Sequence, residues 1–489
     1  MGLTKFLVPP ERLSVDAVNQ AYMASVDGVP WVSSVRLVDE ILFVEKPTSE
    51  SGKLFFPWAL PDGSWLTVHS ATLPESSEPY SLTVELARGF LAELREFLWE
   101  VSLAWLPLPD SIEESVRELS REFYRLACHP APEAQRAAAL DWFIQKGVQI
   151  GGEVCRLVVQ ELLDLRLRAG RRLPTLLGIC LNDWAPGSLL EEQLRAGFTA
   201  GMVPLVWRQI EPREWQRDWT RTDRQIQWCR QAGWAVLAGP LISFSPQYFP
   251  LFLEAYAGDW EAIRDTALEF VRAVVDRYRT KVHAWICGAR MNTGDVLILS
   301  EEERIELAAA VATLVQELDS STPVFLSIDQ PLGEYLSRRP SKYPPLLLAQ
   351  ALIHSQIPIS GFHLEIAWGY YPGSVRRDLV QFARALDWWA ELDIPLLVTL
   401  TVPSSGDVDK KALLAGRMVQ PGATPASQAD WAGKLVELLL SRPYVHGVFW
   451  GQLGDHFPHE YPHGGLFDQE ALPKPALKTL GEIKRKWLS

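Results

Sequence analysis

Two acidic residues stand within or directly after short apolar runs of the sequence. Glu365 interrupts the run 361–366, and Asp329 follows the run 324–328. Burying a carboxylate in an apolar strand costs free energy unless a cation or a hydrogen-bond donor pairs with it. A carboxyl in such a place can also serve a function, as an acid, a base or a nucleophile. We therefore predict Glu365 and Asp329 as candidate catalytic or substrate-binding residues. The alternatives are an ion pair between Glu365 and an arginine such as Arg290, and a turn capped by Asp329.

Other polar and aromatic residues follow further apolar runs. Trp and Tyr rings stack on the apolar faces of sugar rings, while charged and amide groups bond to the hydroxyls. This combination predicts an oligosaccharide or glycan ligand. The candidate substrate-binding residues are Asp183, Trp207, Glu211, Arg290, Asn292, Trp368, Tyr370, Trp450, Asp455 and His456. Packing of Trp368 and Tyr370 against a loop, and an Asx turn at Asp183, are the alternatives.

Three histidines, His456, His459 and His463, lie beside Asp455 and Glu460. Their H-x₂-H-x₃-H spacing matches no zinc signature, and the intervening prolines break any helix that would align the rings. The five cysteines contain no C-x-x-C pair. We therefore predict no metal and no other cofactor, and interpret the histidine segment as a loop lining a sugar-binding mouth.

The elements that must position these residues follow from periodicity. From about residue 173, short apolar runs alternate with amphipathic stretches of helical length. The predicted strands are 175–181, 202–207, 235–241, 282–287, 324–328, 361–366, 396–400 and 447–450. Eight strand–helix units predict an α/β fold, a (β/α)₈ TIM barrel over residues 171–489, with chemistry at the strand ends. A doubly wound open sheet is the alternative, although no G-x-G-x-x-G follows the first strand.

Residues 1–80 are predicted to form a small β-rich N-terminal domain, a sheet or partial sandwich. Branched or alternating apolar runs at 31–37, 40–44, 53–58 and 64–71 carry this prediction. Turn residues separate these runs, as expected for short antiparallel strands.

Residues 81–170 are predicted to form a helical collar or linker. Helical spacing runs over 82–105, and Ser111 with Glu114 predicts a capping box for a second helix. A third helix is predicted to start at Pro132 and to reach residue 168, with Gly147 and the pair at 151–152 as possible breaks.

The end of the sequence resembles a known family. The segments 450–451 (WG), 465–468 (GLFD) and 473–476 (PKPA) are similar to the W-G…L-F-D…P-K-P-A finish of the glycoside hydrolase family 10 barrel, the xylanase family. Segments 207–212 (WRQIEP) and 239–242 (GPLI) resemble its second and third strand regions. The resemblance covers residues 173–489 and implies a barrel that cleaves glycosidic bonds with two glutamates.

The sequence departs from that family at both glutamates. Arg290 stands where W-D-V-V-N-E has its acid/base, and Leu400 where T-E-L-D has its nucleophile; segment 202–207 keeps only Trp207 of E-N-x-M-K-W. Leucine cannot attack a sugar, and arginine cannot cycle between acid and base. Xylanase activity by the family mechanism is therefore not expected.

Three hypotheses about function remain open. The first is a pseudoenzyme, a barrel that binds carbohydrate without cleaving it. The second is an active O-glycoside hydrolase with relocated carboxylates, in which Glu365 works with Asp329, Asp183, Glu211 or Asp455. The third is an intracellular scaffold whose protein partner docks on residues 1–170.

The composition also excludes some classes of binding partner. With 47 basic and 60 acidic residues the formal net charge is −13, which argues against binding to nucleic acid or anionic membranes. No apolar run approaches the about 20 residues that span a bilayer, and the first residues lack a signal-type apolar core. We expect a soluble, acidic, cytoplasmic protein. Trp is abundant, with 20 residues, which suits a sugar-stacking mouth.

Overall fold

The computed structural model describes residues 2–9, 13–104, 106–168, 170, 172–187, 190–414 and 420–488. The strands are β1 Gly2–Leu7, β2 Tyr22–Ala24, β3 Ser34–Val38, β4 Ile41–Lys46, β5 Lys53–Ala59, β6 Trp65–His69, β7 Tyr80–Ser81, β8 Leu176–Cys180, β9 Ala200–Val203, β10 Ala235–Ala238, β11 Ile242–Ser243, β12 Ala284–Ala289, β13 Val324–Asp329, β14 Gly361–Ala367, β15 Leu396–Thr401 and β16 Val445–Trp450. The α-helices are α1 Val15–Gln20, α2 Leu82–Leu103, α3 Asp110–Cys128, α4 Glu133–Arg168, α5 Glu191–Gly197, α6 Trp207–Ile210, α7 Thr220–Gln231, α8 Trp260–Tyr278, α9 Glu301–Leu318, α10 Pro345–His354, α11 Leu379–Ala390, α12 Pro425–Ser441 and α13 Pro475–Ile483.

Parallel strands close into an eight-stranded barrel. The order runs β10-β9-β8-β16-β15-β14-β13-β12, and β12 pairs back onto β10 through Leu237 with Ala284 and Ala238 with Trp285. The short β11 adds to the far end of β12. Helices surround the barrel and bury the outward side chains of its strands in one large core. The predicted (β/α)₈ barrel is therefore confirmed, and closure excludes the open sheet.

Two predicted strands are shorter than expected. The predicted strand 202–207 ends at Val203, because Pro204 follows it and α6 begins at Trp207. The predicted strand 235–241 ends at Ala238, where the backbone of Gly239 adopts a φ of 143°. A Cβ at Gly239 would lie 2.4 Å from the Ile286 carbonyl oxygen, so only glycine allows this approach to β12.

The barrel interior changes from apolar to polar along the strand direction. Alternate residues point inward, and the lower interior is filled by an apolar group. That group comprises Ala200, Met202, Leu237, Ala284, Ile286, Phe325, Leu397 and Phe449. Above it, towards the carboxyl ends, Ser327, His363 and Thr399 occupy the inward positions of β13, β14 and β15. The polar interior thus begins where the candidate site was predicted.

The N-terminal strands and helices α2–α4 share a second hydrophobic core. One sheet has the order β3-β4-β1-β7, and a smaller antiparallel sheet has the order β2-β5-β6. Sequence patterning did not predict β1, although it lies between β4 and β7. Val375 and Val380 enter this core from the barrel side, so the core reaches the barrel across the predicted boundary at residue 170.

The helical segment differs from its prediction at two places. Helix α3 starts at Asp110 after Pro109 and has no side-chain cap, so the predicted capping box at Ser111 and Glu114 is wrong. The predicted helix 82–105 is observed as α2, and Trp105 lies outside the described residues. No helix in the described part of the chain has an apolar stretch long enough to cross a bilayer.

Helix α4 runs without a break for 36 residues, so the predicted breaks at its glycines are wrong. A Cβ at Gly147 would lie 2.1 Å from Cε1 of Phe90, and one at Gly151 would lie 2.8 Å from Cγ2 of Val380. These two glycines therefore allow close packing rather than ending the helix.

Candidate functional site at the barrel mouth

A small cavity lies at the carboxyl end of the barrel strands, which we call the mouth. Its volume is about 90 Å³. Arg290, Glu365 and Thr401 reach it from the strand ends, and Glu460 and Tyr461 reach it from the segment after β16. The carboxyl ends of barrel strands are where this fold places its ligands and its chemistry.

A chain of hydrogen bonds crosses three strands below the cavity and ends on Glu365. Thr399 Oγ1 lies 2.7 Å from His363 Nε2, and His363 Nδ1 lies 2.6 Å from Ser327 Oγ. The Ser327 hydroxyl donates to Glu365 Oε1 at 2.7 Å. Since Ser327 has one proton to give, it must accept from His363 Nδ1–H, and Nε2 then accepts from Thr399. Burial lowers the pKa of His363 to about 3, so its ring is neutral, as the chain requires.

The guanidinium of Arg290 compensates the acidic groups of the mouth. Its Nη2 lies 2.5 Å from Glu460 Oε1 and donates to the Tyr461 hydroxyl at 3.2 Å. Burial raises the pKa of Glu365, while the charge of Arg290 and the hydrogen bond from Ser327 oppose that rise. Burial lowers the pKa of Arg290, but the interactions with Glu460, Tyr461, Tyr371 and Asp329 together outweigh it and leave the pKa above its ordinary value.

Asp329 lies beside Glu365 on the neighbouring strand, in direct register with it. Thr293 donates to Asp329 Oδ2 at 2.7 Å, and Asn292 Nδ2 donates to the Asp329 carbonyl at 2.7 Å. Asp329 Oδ1 is buried without a hydrogen-bond partner among the described residues. Burial raises the pKa of Asp329, Arg290 opposes this, and the Glu365 charge raises it further. Two carboxyls with raised pKa values therefore stand side by side.

Three tyrosines complete the walls around the mouth. Tyr248 and Tyr461 line the cavity, and the Tyr371 hydroxyl lies 3.3 Å from that of Tyr461. The ring of Tyr370 lies 4.9 Å from that of Tyr461, and its hydroxyl donates to the Pro462 carbonyl at 3.1 Å. Tyr370 thus supports Tyr461 instead of facing the cavity.

Glu460 was predicted only as part of a loop lining the mouth, and Tyr461, Tyr248, Ser327 and His363 were not predicted as ligand-binding residues. Glu460 and Tyr461 follow the end of β16 by about ten residues, and a long-range contact is needed to bring them back to the barrel mouth. The Gln452 side chain makes that contact, because it bonds to both the backbone N–H and the carbonyl of Tyr461. A polar pair at alternate positions of one strand, His363 and Glu365, is the one signal that was available in the sequence.

The tryptophans predicted to stack on sugar do not line the mouth, and that prediction is wrong. Trp207 is buried against Phe270, Trp368 is packed edge-on to two other rings, and Trp450 donates to the Gly464 carbonyl at 2.9 Å. All three belong to the core between barrel and helices. Trp450 follows Phe449, which points into the barrel, so strand alternation turns it outward.

Four other predicted ligand-binding residues are used structurally and do not line the mouth cavity. Glu211 accepts from Trp207 Nε1 at 3.0 Å and from the Trp215 backbone N–H at 2.7 Å. Asp183 pairs with Arg221 near the surface. Asp455 forms a buried ion pair with Lys474 at 2.5 Å, and His456 stands edge-on against Phe457. Asn292 contributes to the site by holding Asp329.

The two remaining histidines have protein partners. His459 Nε2 lies 2.9 Å from Asp409 Oδ2, and His463 Nδ1 lies 3.8 Å from the same oxygen. Asp409 also accepts from the backbone N–H of His463 at 3.2 Å. These contacts fold the segment that carries Glu460 and Tyr461 onto the loop after β15.

Strand β15 supplies hydroxyls and no carboxylate to the mouth, because its sequence is LLVTLT. Thr399 and Thr401 line the cavity, whereas Leu400 is buried in the outer core. Leu400, the position that the family resemblance assigned to the nucleophile, therefore does not face the mouth.

Comparison with known proteins gives structural matches only. No family model matches the chain, and no curated protein matches it. Xylanase 10B from Thermotoga maritima is similar with 16% identity and a TM-score of 0.47 over 65% of this chain and 96% of that one. An endo-1,4-beta-xylanase from Caldicellulosiruptor owensensis has 18% identity and a TM-score of 0.47 over 63% and 96%. A GH10 endoxylanase from a sugarcane soil metagenome has 14% identity and a TM-score of 0.48 over 64% and 98%. The role of the mouth therefore has to be argued from its own residues.

Proposed function

We propose that the barrel mouth binds a carbohydrate unit and does not cleave it by the two-glutamate mechanism. The observation that carries this proposal is the position of Arg290, a permanent cation between Glu460 and Glu365 at the end of β12. Charged groups and tyrosine hydroxyls in one small cavity match the hydroxyl groups of a sugar, each of which both donates and accepts.

The chemistry of the mouth argues against double displacement there. Retaining hydrolysis needs a carboxylate nucleophile and a second carboxyl about 5–5.5 Å away that cycles as acid and base. Arg290 cannot lose its proton at physiological pH, and β15 offers only Thr399 and Thr401. Glu365 and Glu460 are both engaged, the first by Ser327 and the second by Arg290.

The size of the cavity limits the ligand. Pockets for drug-sized ligands measure about 300–1,000 Å³, well above the about 90 Å³ of the mouth. The tight fit favours a single sugar unit or the end of a short chain over a long polysaccharide. Glu365 and Arg290 would contact its hydroxyls, and Tyr461 would border it.

A second candidate is an O-glycoside hydrolase that uses Asp329 and Glu365. One observation favours it: both carboxyls have raised pKa values and stand in register on neighbouring strands. A pair of carboxyls whose proton affinities are raised by burial is the arrangement from which acid and base roles arise.

Two experiments distinguish the sugar-binding proposal from the hydrolase. One is calorimetric titration with xylose, xylobiose, glucose and cellobiose, and the other is an activity assay on aryl glycosides. We expect binding of at least one sugar, a loss of about tenfold or more in Glu365→Gln, and no turnover. Asp183→Asn is the matched control, since this carboxylate lies outside the mouth and pairs with Arg221. Turnover that disappears in both Glu365→Gln and Asp329→Asn would establish the hydrolase, and absence of binding to every sugar would overturn the binding proposal.

A further inference from the structure

A large cavity lies away from the mouth. It has a volume of about 680 Å³ and opens between the sheet β2-β5-β6, helix α2 and the side of the barrel formed by α11 and the loop after β13. We call it the sheet–barrel cleft. Its wall includes Phe55, His69, Glu93, Arg377, Gln381 and Trp388. This volume falls within the about 300–1,000 Å³ typical of small-molecule sites.

The floor of the cleft holds a buried ion pair. His69 Nε2 lies 2.9 Å from Glu93 Oε2, and its Nδ1 lies 2.9 Å from the Ser70 carbonyl. Both ring nitrogens face oxygen acceptors, so the imidazole carries two protons and is cationic. Burial lowers the pKa of His69, but the Glu93 charge and the hydrogen bonds to Glu93 and to the Ser70 carbonyl together raise it overall.

The remaining charges of the wall also balance. Arg377 lies 3.6 Å from Glu334, and Arg384 reaches Glu96 at 3.0 Å. Counted along the wall, the cations are Lys53, His69, Arg377 and Arg384, and the anions are Asp27, Glu93, Glu96 and Glu391. With four charges of each sign the cleft has no surplus charge that would select an anionic or cationic ligand. Recognition there has to rest on neutral polar groups and apolar contact.

Two polar atoms of the wall lack partners. Arg377 Nε and Gln381 Oε1 are buried without a hydrogen bond in the part of the chain that the structure describes. The two residues are 8% and 4% exposed. One is a donor and the other an acceptor, and a buried polar group without a partner costs about 1–3 kcal/mol. Both residues line the cleft, so its wall offers polar groups as well as apolar surface.

An aromatic surface borders the same wall. Trp388 lines the cleft and is 47% exposed, and Phe55 lines the cleft nearby. A Cβ on Gly28 would lie 3.7 Å from Cη2 of Trp388, so the loop at Gly28 lies close to the edge of the indole. The face of an exposed indole is a platform for an apolar ring face.

We propose that the sheet–barrel cleft is a second carbohydrate site, separate from the mouth, for an oligosaccharide of two or three units. Sugar hydroxyls bond to polar groups of the wall, of which Gln381 is one, and a ring face stacks on Trp388. The neutral balance of the wall suits an uncharged polyol, and the volume suits several sugar units where the mouth suits one.

The test uses the full chain with Glu365→Gln, which removes the proposed contact in the mouth. Calorimetric titration with xylotriose and cellotriose is expected to show binding of at least one of them to this variant. Adding Trp388→Ala or Gln381→Leu is expected to weaken that binding about tenfold or more. Adding Trp99→Ala, an exposed tryptophan of α2 outside the cleft, is the matched control and leaves binding unchanged.

The outcomes separate the two sites. Trisaccharide binding by Glu365→Gln that survives both Trp388→Ala and Gln381→Leu would overturn the cleft proposal, as would failure of Glu365→Gln to bind either trisaccharide. Binding that is lost in Glu365→Gln and retained in Trp388→Ala would support the mouth and refute the cleft. Far-ultraviolet circular dichroism of each variant identifies any loss of fold.

Discussion

Ser327 and Glu365 are joined across two neighbouring barrel strands by a hydrogen bond of 2.7 Å from the serine hydroxyl to Glu365 Oε1. The serine accepts a hydrogen bond from His363 Nδ1–H, which directs its own hydroxyl proton towards Glu365, and Thr399 holds the other side of the His363 ring. The orientation of the mouth carboxylate is therefore fixed from inside the barrel.

Replacing Ser327 with Ala is expected to destabilise the protein by about 1–3 kcal/mol. The change leaves His363 Nδ1–H without its acceptor and removes a hydrogen bond from buried Glu365. Urea unfolding measures the loss. Ser355→Ala, which removes an exposed hydroxyl bonded only to the Ala351 carbonyl, is the control and should cost much less. Equal losses in the two variants would contradict the hydrogen-bond chain.

Arg290→Gln is expected to lower stability by about 3 kcal/mol near neutral pH, because it leaves Glu460 unpaired beside Glu365. The pKa of Glu365 is already raised in the folded state, and loss of the cation raises it further. A group with a raised folded pKa favours unfolding as it ionises, so the loss should grow as the pH rises above about 4.5. Thermal unfolding across this range tests the trend.

The double variant Arg290→Gln with Glu460→Gln is the matched control, since it removes the cation and its nearest anion together. We expect it to recover part of the stability at neutral pH. A double variant no more stable than Arg290→Gln would show that Glu460 is not the group that the arginine compensates.

The ion pair of His69 and Glu93 predicts that the protein loses stability both when the pH rises and when it falls. The pKa of His69 is raised, so its contribution is present below about 6.5 and is lost as the pH rises through the folded pKa. The pKa of Glu93 is lowered, so its contribution is present above about 4.5 and is lost as the pH falls. His69→Gln should reduce the loss of stability on the alkaline side. An NMR titration of the ring that gives a pKa below 6.5 would contradict the pair.

Asp378 also contributes to the loss of stability as the pH rises. Burial and the Glu93 charge raise its pKa to about 7, so its ionisation also favours unfolding as the pH rises. Comparing Asp378→Asn with His69→Gln separates the two contributions. Asp378 caps α11 through the backbone N–H groups of Val380 and Gln381, which asparagine also accepts.

Two glycines of α4 are expected to respond oppositely to alanine. Gly147→Ala places a methyl group against Phe90 and should destabilise by about 1–3 kcal/mol, in spite of the better helix propensity. Gly152→Ala meets no atom within 4 Å and should stabilise by up to about 1 kcal/mol. Thermal unfolding of both variants gives the comparison. If both alanine variants were more stable than the parent protein, the close packing of Gly147 against Phe90 would be contradicted.

Trp207→Ala is expected to cost about 3–5 kcal/mol, because the indole stacks on Phe270 and donates to Glu211 in the core. Trp99→Ala, an exposed tryptophan, should change stability by about 0.5 kcal/mol or less. Chemical denaturation measures both. If Trp207→Ala barely changed the free energy of unfolding, the core position of Trp207 would be contradicted and its predicted role in ligand binding would be supported.

The sequence was sufficient for the barrel because its strands are short apolar runs between helices. Asp329, Glu365 and Arg290 lie at converging strand ends, as predicted, and their roles remain predictions. The sequence placed Trp450 wrongly because a strand turns alternate residues outward, and Trp207 wrongly because this residue begins α6 and does not end a strand. It could not place Glu460, whose position depends on contacts made by a long loop.

Helix α4 makes the two halves of the chain mechanically continuous. At about 1.5 Å per residue its 36 residues span about 54 Å. Phe143 and Ile144 anchor one half in the N-terminal core, while Val159 and Leu163 anchor the other in the barrel core. Rotation of one half against the other would have to bend this rod. The spacing between the N-terminal core and the barrel core along α4 is thereby fixed.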